Sequence, residues 1–435
     1  MNLFNLTLKL KGFPIAKAQA ALAKIQAIPP AEYNGYVVRQ RQEIVAYHLK
    51  NTPYYRDLVG ADQIDSWNDL PILYKKDLQQ PLQERLSKGF TKKNVYINKT
   101  SGSSGHPFVF AKDKFAHALT WAQIFDRFSW YNLDFNSSLQ ARFYGIPLDS
   151  LGYTKERLKD ALSKRYRFPI FDLQDAKLEA ILKTFSKKPF EYINGYTSSI
   201  VLFAKFLKDK DIVLTQVCPS LRACVVTSEM LYDIDKTLLE AALGVPVINE
   251  YGASELDLIA FTHPNGQLRV NSESLFVEVL DKNDQPVPNG QQGRIVITSL
   301  YNKAHPFVRY DIGDMGTLSA ASTDKFPVLE TLIGRTNDIA RLPSGKTVPG
   351  LTFYYVTKSI IEDDGLVKEF LIEQTKIDSF AIKYVAKRPL TSQEIGGIEK
   401  ALITYLEPGL SLSFEQKDFL KRSASGKLKQ FVSHI

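Results

Sequence analysis

The chain has 435 residues with 55 Lys plus Arg, 47 Asp plus Glu and 2 Cys. That length excludes a small disulfide-stapled module and leaves room for two or three domains, or one large α/β domain with an appendage. Apolar residues at 44% and charged residues at 23% exclude wholesale disorder, and a charge of +8 spread over the whole length reads as a solvated surface and not as a nucleic-acid or membrane footprint.

The first 30 residues carry a lysine every few positions. They predict a partly amphipathic helical lead-in, with neither a secretory h-region nor a membrane span of about 20 residues. Helical periodicity follows over Tyr36–Lys50 and over Ala176–Lys187, where Leu178, Ile181, Leu182 and Phe185 recur at three- and four-residue steps. Short β-branched runs predict strands at Ala223–Thr227, Val245–Ile248, Leu275–Leu280 and Arg294–Leu300. The Asn/Asp/Pro/Gly-rich DKNDQPVPNGQQG between the last two reads as a connecting loop, and a β-rich region is expected from about Asn271 onward. Character changes after Gly334. A boundary near Leu332 to Asn337 divides the chain into residues 1–334 and 335–435, the second a small α+β unit with a helix, a strand and a helix before a basic tail. The fold expected is α/β: a large N-terminal multi-sheet domain with a small mobile C-terminal α+β domain. Cys218 and Cys224 form no zinc-ligand pattern and fit a reducing, cytoplasmic compartment.

Several segments carry residue types suited to nucleotide chemistry. Thr100 to Pro107 reads TSGSSGHP; its hydroxyls and glycines let N–H and O–H groups surround phosphate oxygens without a Cβ in the way. The alternative is a flexible Ser/Gly linker, but expected strands at Val95–Ile97 and Phe108–Phe110 frame it as a functional turn. A second phosphate-like string, ARLPSGKT at Ala340–Thr347, is one residue short of a P-loop, and Val348, Pro349 and Gly350 follow where a helix would have to open. It is set aside as a decoy. NEYGASE follows the strand ending at Ile248; there Tyr251 is suited to stack on a purine, Ser254 to donate to a phosphate and Glu255 to hold Mg²⁺ through oxygen, the bland alternative being a core Tyr beside a surface Glu. In VRYDIGD, Val308–Asp314, an acid in a tight turn suits a ribose cis-diol; the alternative is a DxGD turn closed by side-chain to backbone bonds. SGKLK at Ser425–Lys429 is either a flexible approach to a functional lysine or a solvated basic tail.

Taken in order, these segments resemble the adenylate-forming superfamily of acyl-CoA ligases and adenylation domains, in its phenylacetate-CoA ligase-like branch, which includes adenylating proteins of capsule gene clusters. TSGSSGHP resembles the phosphate loop, VTSE and NEYGASE the adenine and magnesium motifs, VRYDIGD the ribose motif, GRTND the hinge and SGKLK the catalytic-lysine motif. The resemblance implies that Ser101, Gly102, Ser103, Ser104 and Gly105 hold the β- and γ-phosphates of ATP. Tyr251 would stack on adenine with Ser228, Glu229, Asn249 and Gly252 around it; Ser254 would touch the α-phosphate and Glu255 bind Mg²⁺. Asp314 would take the ribose, Arg335 the nucleotide near the domain junction, and Lys427 would enter from the C-terminal domain, with the hinge at Asn337 or Asp338.

The implied activity is ATP-dependent activation of a carboxylic acid to acyl-AMP and transfer to a thiol, coenzyme A. Alternatives are loading of an acyl carrier protein or amide formation, a non-catalytic nucleotide-binding protein, and, most distant, nucleic-acid binding. Tyr144, Gly145, Tyr196 and Ala253 are expected to line the acid pocket, by position and by aromatic or small character. Three departures stand out. Phe108 replaces a Lys common after the loop's Pro, Phe261–Leu268 lacks the cysteines some relatives carry, and LPSGKTVPG only loosely matches the pantetheine-tunnel segment.

Overall fold

The structure, a computed structural model, describes residues 3–61, 64–99, 109–144, 157–161, 163–170, 173, 175–335, 339–345, 347–349, 367–421, 428 and 431–435. The N-terminal lead-in is helical at Leu3–Leu10 and Ile15–Gln26, and the periodic segment beyond it forms a helix from Pro30 to Asn51 with proline in its first turn.

An antiparallel hairpin of β1 (Tyr96–Lys99) and β2 (Val109–Lys112) comes next. It frames residues 100–108 between paired strands, as the sequence predicts, one or two positions from the expected ends. The helix Lys114–Ser129 begins at once, its N-cap Asp113 accepting from the amides of Phe115 and Ala116.

The central sheet has seven strands: β3 (Gln140–Phe143), β4 (Arg165–Phe168), β5 (Tyr192–Tyr196), β6 (Ala223–Thr227), β7 (Val247–Ala253), β8 (Asp257–Thr262) and β9 (Leu268–Val270), in the order β4-β3-β5-β6-β7-β8-β9. It is parallel from β4 to β7 and antiparallel beyond. On one face Ala141, Phe143, Ile193, Cys224, Val226 and Val247 pack with Leu178, Phe185, Phe203, Leu207, Leu239 and Leu243 from the helices Asp175–Phe185, Thr197–Asp209 and Asp233–Leu243. Each large apolar side chain buried this way contributes about 1.5–3 kcal/mol. Gly195 lets β5 lie against β3, because a Cβ there would meet the Phe143 carbonyl at 2.4 Å. Both cysteines are free and buried.

A four-stranded antiparallel sheet follows, β10 (Leu275–Leu280), β11 (Gln292–Ser299), β12 (Tyr310–Leu318) and β13 (Leu329–Arg335). The ARLPSGKT decoy is a hairpin of β14 (Ile339–Arg341) and β15 (Thr347–Pro349), turned at Gly345 with φ 82°, so no helix opens behind its lysine. The last sheet, β18-β17-β16-β19, comprises β16 (Val367–Lys376), β17 (Ser379–Ala386), β18 (Ser411–Gln416) and β19 (Phe431–Ser433) around the helix Ser392–Tyr405. The described residues of 367–435 hold two paired strands, one helix and two more strands, and the first helix expected after Gly350 lies outside the described residues. The end of the basic tail is captured as β19, parallel to β16. This sheet has its own apolar cluster, which Tyr232 joins from the N-terminal body with Met230 beside it. Among the described residues no helix is long and apolar enough to cross a membrane.

Candidate active site

Two of the sequence motifs do not form the turns expected of them. β7 runs on past Ile248 through Glu250 and Gly252 to Ala253, because β8 returns antiparallel and takes up its backbone groups. The approach is close: a Cβ on Gly252 would lie 2.4 Å from the Asp257 carbonyl, so glycine is required there. DIGD likewise sits inside β12 as a bulge, since pairing with β11 jumps from Arg294–Met315 to Val296–Asp311. Gly313 takes φ 82° and donates its N–H to Asp311 Oδ1 at 2.8 Å, the side-chain to backbone closure that a DxGD sequence favours.

These two segments are cross-linked by two hydrogen bonds. The Tyr251 hydroxyl donates to Asp314 Oδ2 at 2.6 Å across 63 residues of sequence, and the Tyr310 hydroxyl donates to Glu255 Oε1 at 2.9 Å. Tyr251 and Glu255 are buried, Ala253 is half-buried and Ser254 is exposed at the strand end, with Asn249 half-buried and Gly252 exposed on the same strand. The Asp314–Arg335 backbone register brings Arg335 beside Asp314 on the neighbouring strand; its side chain lies outside the described residues.

Arg309 sets the corner ahead of Tyr310. It adopts φ 47°, which side-chain-bearing residues rarely take, and is buried, donating to the Leu70 carbonyl at 3.0 Å with Glu278 3.4 Å away. Burial raises the Glu278 carboxyl above its ordinary range, and Arg309 opposes that rise. In the sequence Arg309 carries little signal, being a charged residue between Val308 and Tyr310, both of which are buried.

Ser228 and Glu229 follow β6. Ser228 takes φ 69°, and the Glu229 carboxylate beyond it accepts from two main-chain amides, Ser198 at 2.7 Å and Leu428 at 3.0 Å. The Thr197 hydroxyl donates to the Glu229 carbonyl at 3.3 Å. The segment next to Lys427 is therefore held against the N-terminal body, 199 residues away in sequence. Tyr144 and Tyr196 face each other with ring centroids 4.7 Å apart. Gly145, Ser101 to Gly105, Asn337, Asp338 and Lys427 lie outside the described residues.

The hairpin that frames the glycine-rich segment is tied to the same region. Lys112 pairs with Asp257 at the start of β8, and Thr120 donates to the same carboxylate at 2.9 Å. Behind Glu255 is a cavity of about 20 Å³ lined in part by Lys112, Thr120 and Asn302, room for about one water.

No family model matches the chain. Protein CapK of Staphylococcus aureus is 24% identical over 370 residues, 79% of this chain and 76% of that protein. Phenylacetate-coenzyme A ligase of Thermus thermophilus is 22% identical over 332 residues, 73% of each. The chain is a member of the adenylate-forming superfamily. Within that superfamily the fold is similar to 2-hydroxyisobutyryl-CoA ligase. The TM-score is 0.72 at 16% identity, covering 94% of this chain and 91% of that one, when the ligase is in its postadenylation state. Against the same ligase in its thioesterification state the TM-score is 0.58.

Proposed function

We propose that the protein is an ATP-dependent ligase that converts a carboxylic acid to acyl-AMP and pyrophosphate and then transfers the acyl group to the thiol of coenzyme A. The observation that carries this reading is the Glu229 carboxylate, which holds the amide of Leu428, neighbour of Lys427, beside the site built by Tyr251, Asp314 and Glu255. Residues 1–334 form the ATP- and acid-binding domain on this reading, and 335–435 the lid, hinged at Asn337 or Asp338.

The chemistry asks for positioning and charge stabilisation. Ser101 to Gly105 hold the β- and γ-phosphates, Tyr251 stacks on adenine, Asp314 takes the ribose hydroxyls, Arg335 contacts the nucleotide and Ser254 the α-phosphate. Lys427 neutralises charge gathered between the attacking carboxylate and the α-phosphorus. Glu255 fits Mg²⁺: one carboxylate oxygen accepts from Tyr310, the other is an oxygen donor of the kind the ion prefers, and Mg²⁺ is commonly held by one or two carboxylates plus substrate phosphates. When bound, the ion neutralises phosphate charge. The higher TM-score against the postadenylation state of the related ligase supports an arrangement suited to the first half-reaction, and rotation of the lid would withdraw Lys427 for the second.

The test is carboxylate-dependent exchange of pyrophosphate into ATP over a panel of acids, followed by acceptor assays with coenzyme A, carrier protein and amines. Exchange with product formed on coenzyme A is the expected result. Exchange with product only on a carrier protein or an amine replaces the acceptor, and ATP binding without exchange leaves a non-catalytic nucleotide-binding protein.

A further inference from the structure

Glu255 stands in the tight connection between β7 and β8. Ala253 pairs with Asp257 across that connection, and the Leu256 N–H donates to the Ala253 carbonyl at 3.2 Å. Asp257 closes it at φ 58°, in the left-handed region where short hairpin connections ordinarily place glycine. Among residues with side chains, aspartate and asparagine tolerate that region best. The Asp257 carbonyl lies against Gly252 so closely that a Cβ there would meet it, so the Asp257 carboxylate is presented from a fixed backbone position.

That carboxylate takes up a lysine. Lys112 of β2 is buried and pairs with Asp257, and Thr120 donates to the same carboxylate at 2.9 Å from the helix Lys114–Ser129. Lys112 also lines the cavity behind Glu255. Among the described residues around that cavity, Lys112 and Glu255 are the two that carry charge, and their signs are opposite; the rest are apolar, hydroxyl or amide side chains. The space holds about one water, and an ammonium group on a flexible four-carbon stem can turn within such a space. A lysine released by Asp257 would therefore find Glu255 across the same cavity.

The bond that Glu255 does make leaves its charge uncompensated. Tyr310 donates to Oε1 from a neutral hydroxyl, and among the described residues Lys112 pairs with Asp257 and not with Glu255. An ammonium group at Glu255 would cancel the charge that attracts a divalent cation and occupy the oxygens that would coordinate it. Resting on the reading of Glu255 as the Mg²⁺ ligand, we propose that Asp257 is a positioning residue that sequesters Lys112 and thereby keeps the Glu255 carboxylate open to the ion.

The test uses the full chain holding α,β-methylene-ATP, whose α–β bridge resists adenylation. It is titrated with Mn²⁺, which accepts the same oxygen ligands as Mg²⁺, and free ion is counted by electron paramagnetic resonance, with thermal midpoints measured alongside. Glu255→Gln sets the scale. Asp257→Asn suits φ 58° and keeps a carbonyl acceptor for Thr120 but releases Lys112; Mn²⁺ affinity should fall by about 10-fold, the lower end of the loss when a group behind a metal ligand is removed. Lys112→Met breaks the same pair and leaves no lysine, so Mn²⁺ affinity should stay within about threefold of the parent, and Lys112→Met added to Asp257→Asn should return it to that range. A merely structural pair predicts similar losses in the two single variants, because either one breaks it. If Asp257→Asn fails to fold, Asp257→Gly, which suits the backbone better still, takes its place. Equal losses in the two single variants, or no loss on replacing Asp257, overturn the proposal and leave Glu255 as the ion's ligand. Mn²⁺ affinity unmoved by Glu255→Gln removes the ligand reading and the proposal with it.

Discussion

The two faces of β7 differ in how completely their polar groups are matched. On the side proposed for the nucleotide, Tyr251 is bonded to Asp314 and Glu255 to Tyr310, so the side chains proposed for the nucleotide and for Mg²⁺ are already oriented by the protein. On the other face, Arg142 has a buried nitrogen without a partner among the described residues, and burial raises the Glu250 carboxyl with Thr227 and Arg142 opposing the rise. Preorganised groups suit the part of the reaction that is the same for every acid. Buried polar groups without a full set of partners cost stability instead.

The largest effect should come from Lys427→Ala, on the nucleotide side. One well-placed charge is worth about 3–4 kcal/mol by analogy with an oxyanion-hole donor, so acid-dependent pyrophosphate exchange should fall by about 10² or more while ATP affinity stays within about threefold. Exchange at the parental rate would remove Lys427 from the mechanism. Next is Glu229→Gln. The carboxylate receives two main-chain N–H groups, from Ser198 and Leu428. An amide has one oxygen to offer and sets an NH₂ against the second donor. Losing a hydrogen bond to a charged group costs about 1.5–3 kcal/mol. Exchange should fall about 10-fold, with a smaller loss in thioester formation started from synthetic acyl-AMP; equal losses in both assays would mean that Glu229 does not hold the lid for the first step.

Legibility in the sequence followed the same division. Strands Ala223–Thr227 and Leu275–Leu280 could be read to the residue, because β-branched runs closed by turn residues leave little choice. The P-loop decoy was excluded by Pro349 and Gly350, and the structure gives a hairpin there. Strand β7 was read five residues short because Glu, Gly and Ala have little β-propensity and its extension depends on β8, a tertiary partner. The Tyr251, Glu255 and Asp314 motifs were legible as motifs, but neither hydrogen bond that joins them could be seen in one dimension. Arg142 and Glu250 were missed altogether. Alternation in QARFY and YINGY places polar residues on one face, which reads equally as a solvated face; only the sheet order shows that Arg142 and Asn194 stand side by side on it.

Tyr251→Phe removes the hydroxyl that orients Asp314 and leaves an aromatic ring for the purine. Water can take the place of the lost hydroxyl, so part of the about 1.5–3 kcal/mol for a charge-assisted bond is recovered. The KM for ATP should rise about 3- to 10-fold, and the order of preference among the acids of the panel should not move. A change in that order would show that Tyr251 also bears on the acid.

The smallest effect concerns stability on the other face of β7. Burial raises the Glu250 carboxyl above its ordinary range, with Thr227 and Arg142 opposing the rise; Tyr144 and Tyr192 are the other titratable groups that feel its charge. A carboxyl whose folded-state pKa exceeds its unfolded value favours folding when protonated, and that contribution is lost as pH rises through the folded-state pKa. Glutamine resembles the protonated form at every pH. Glu250→Gln should therefore match the parent in thermal midpoint below the ordinary glutamate range, at about pH 4.3, and become the more stable protein as pH rises toward neutrality. Thermal unfolding of both proteins between about pH 4 and pH 8 gives the comparison. A variant less stable than the parent at neutral pH would mean that the charged carboxylate is already paired, and that the face opposite the nucleotide is as fully satisfied as the nucleotide side.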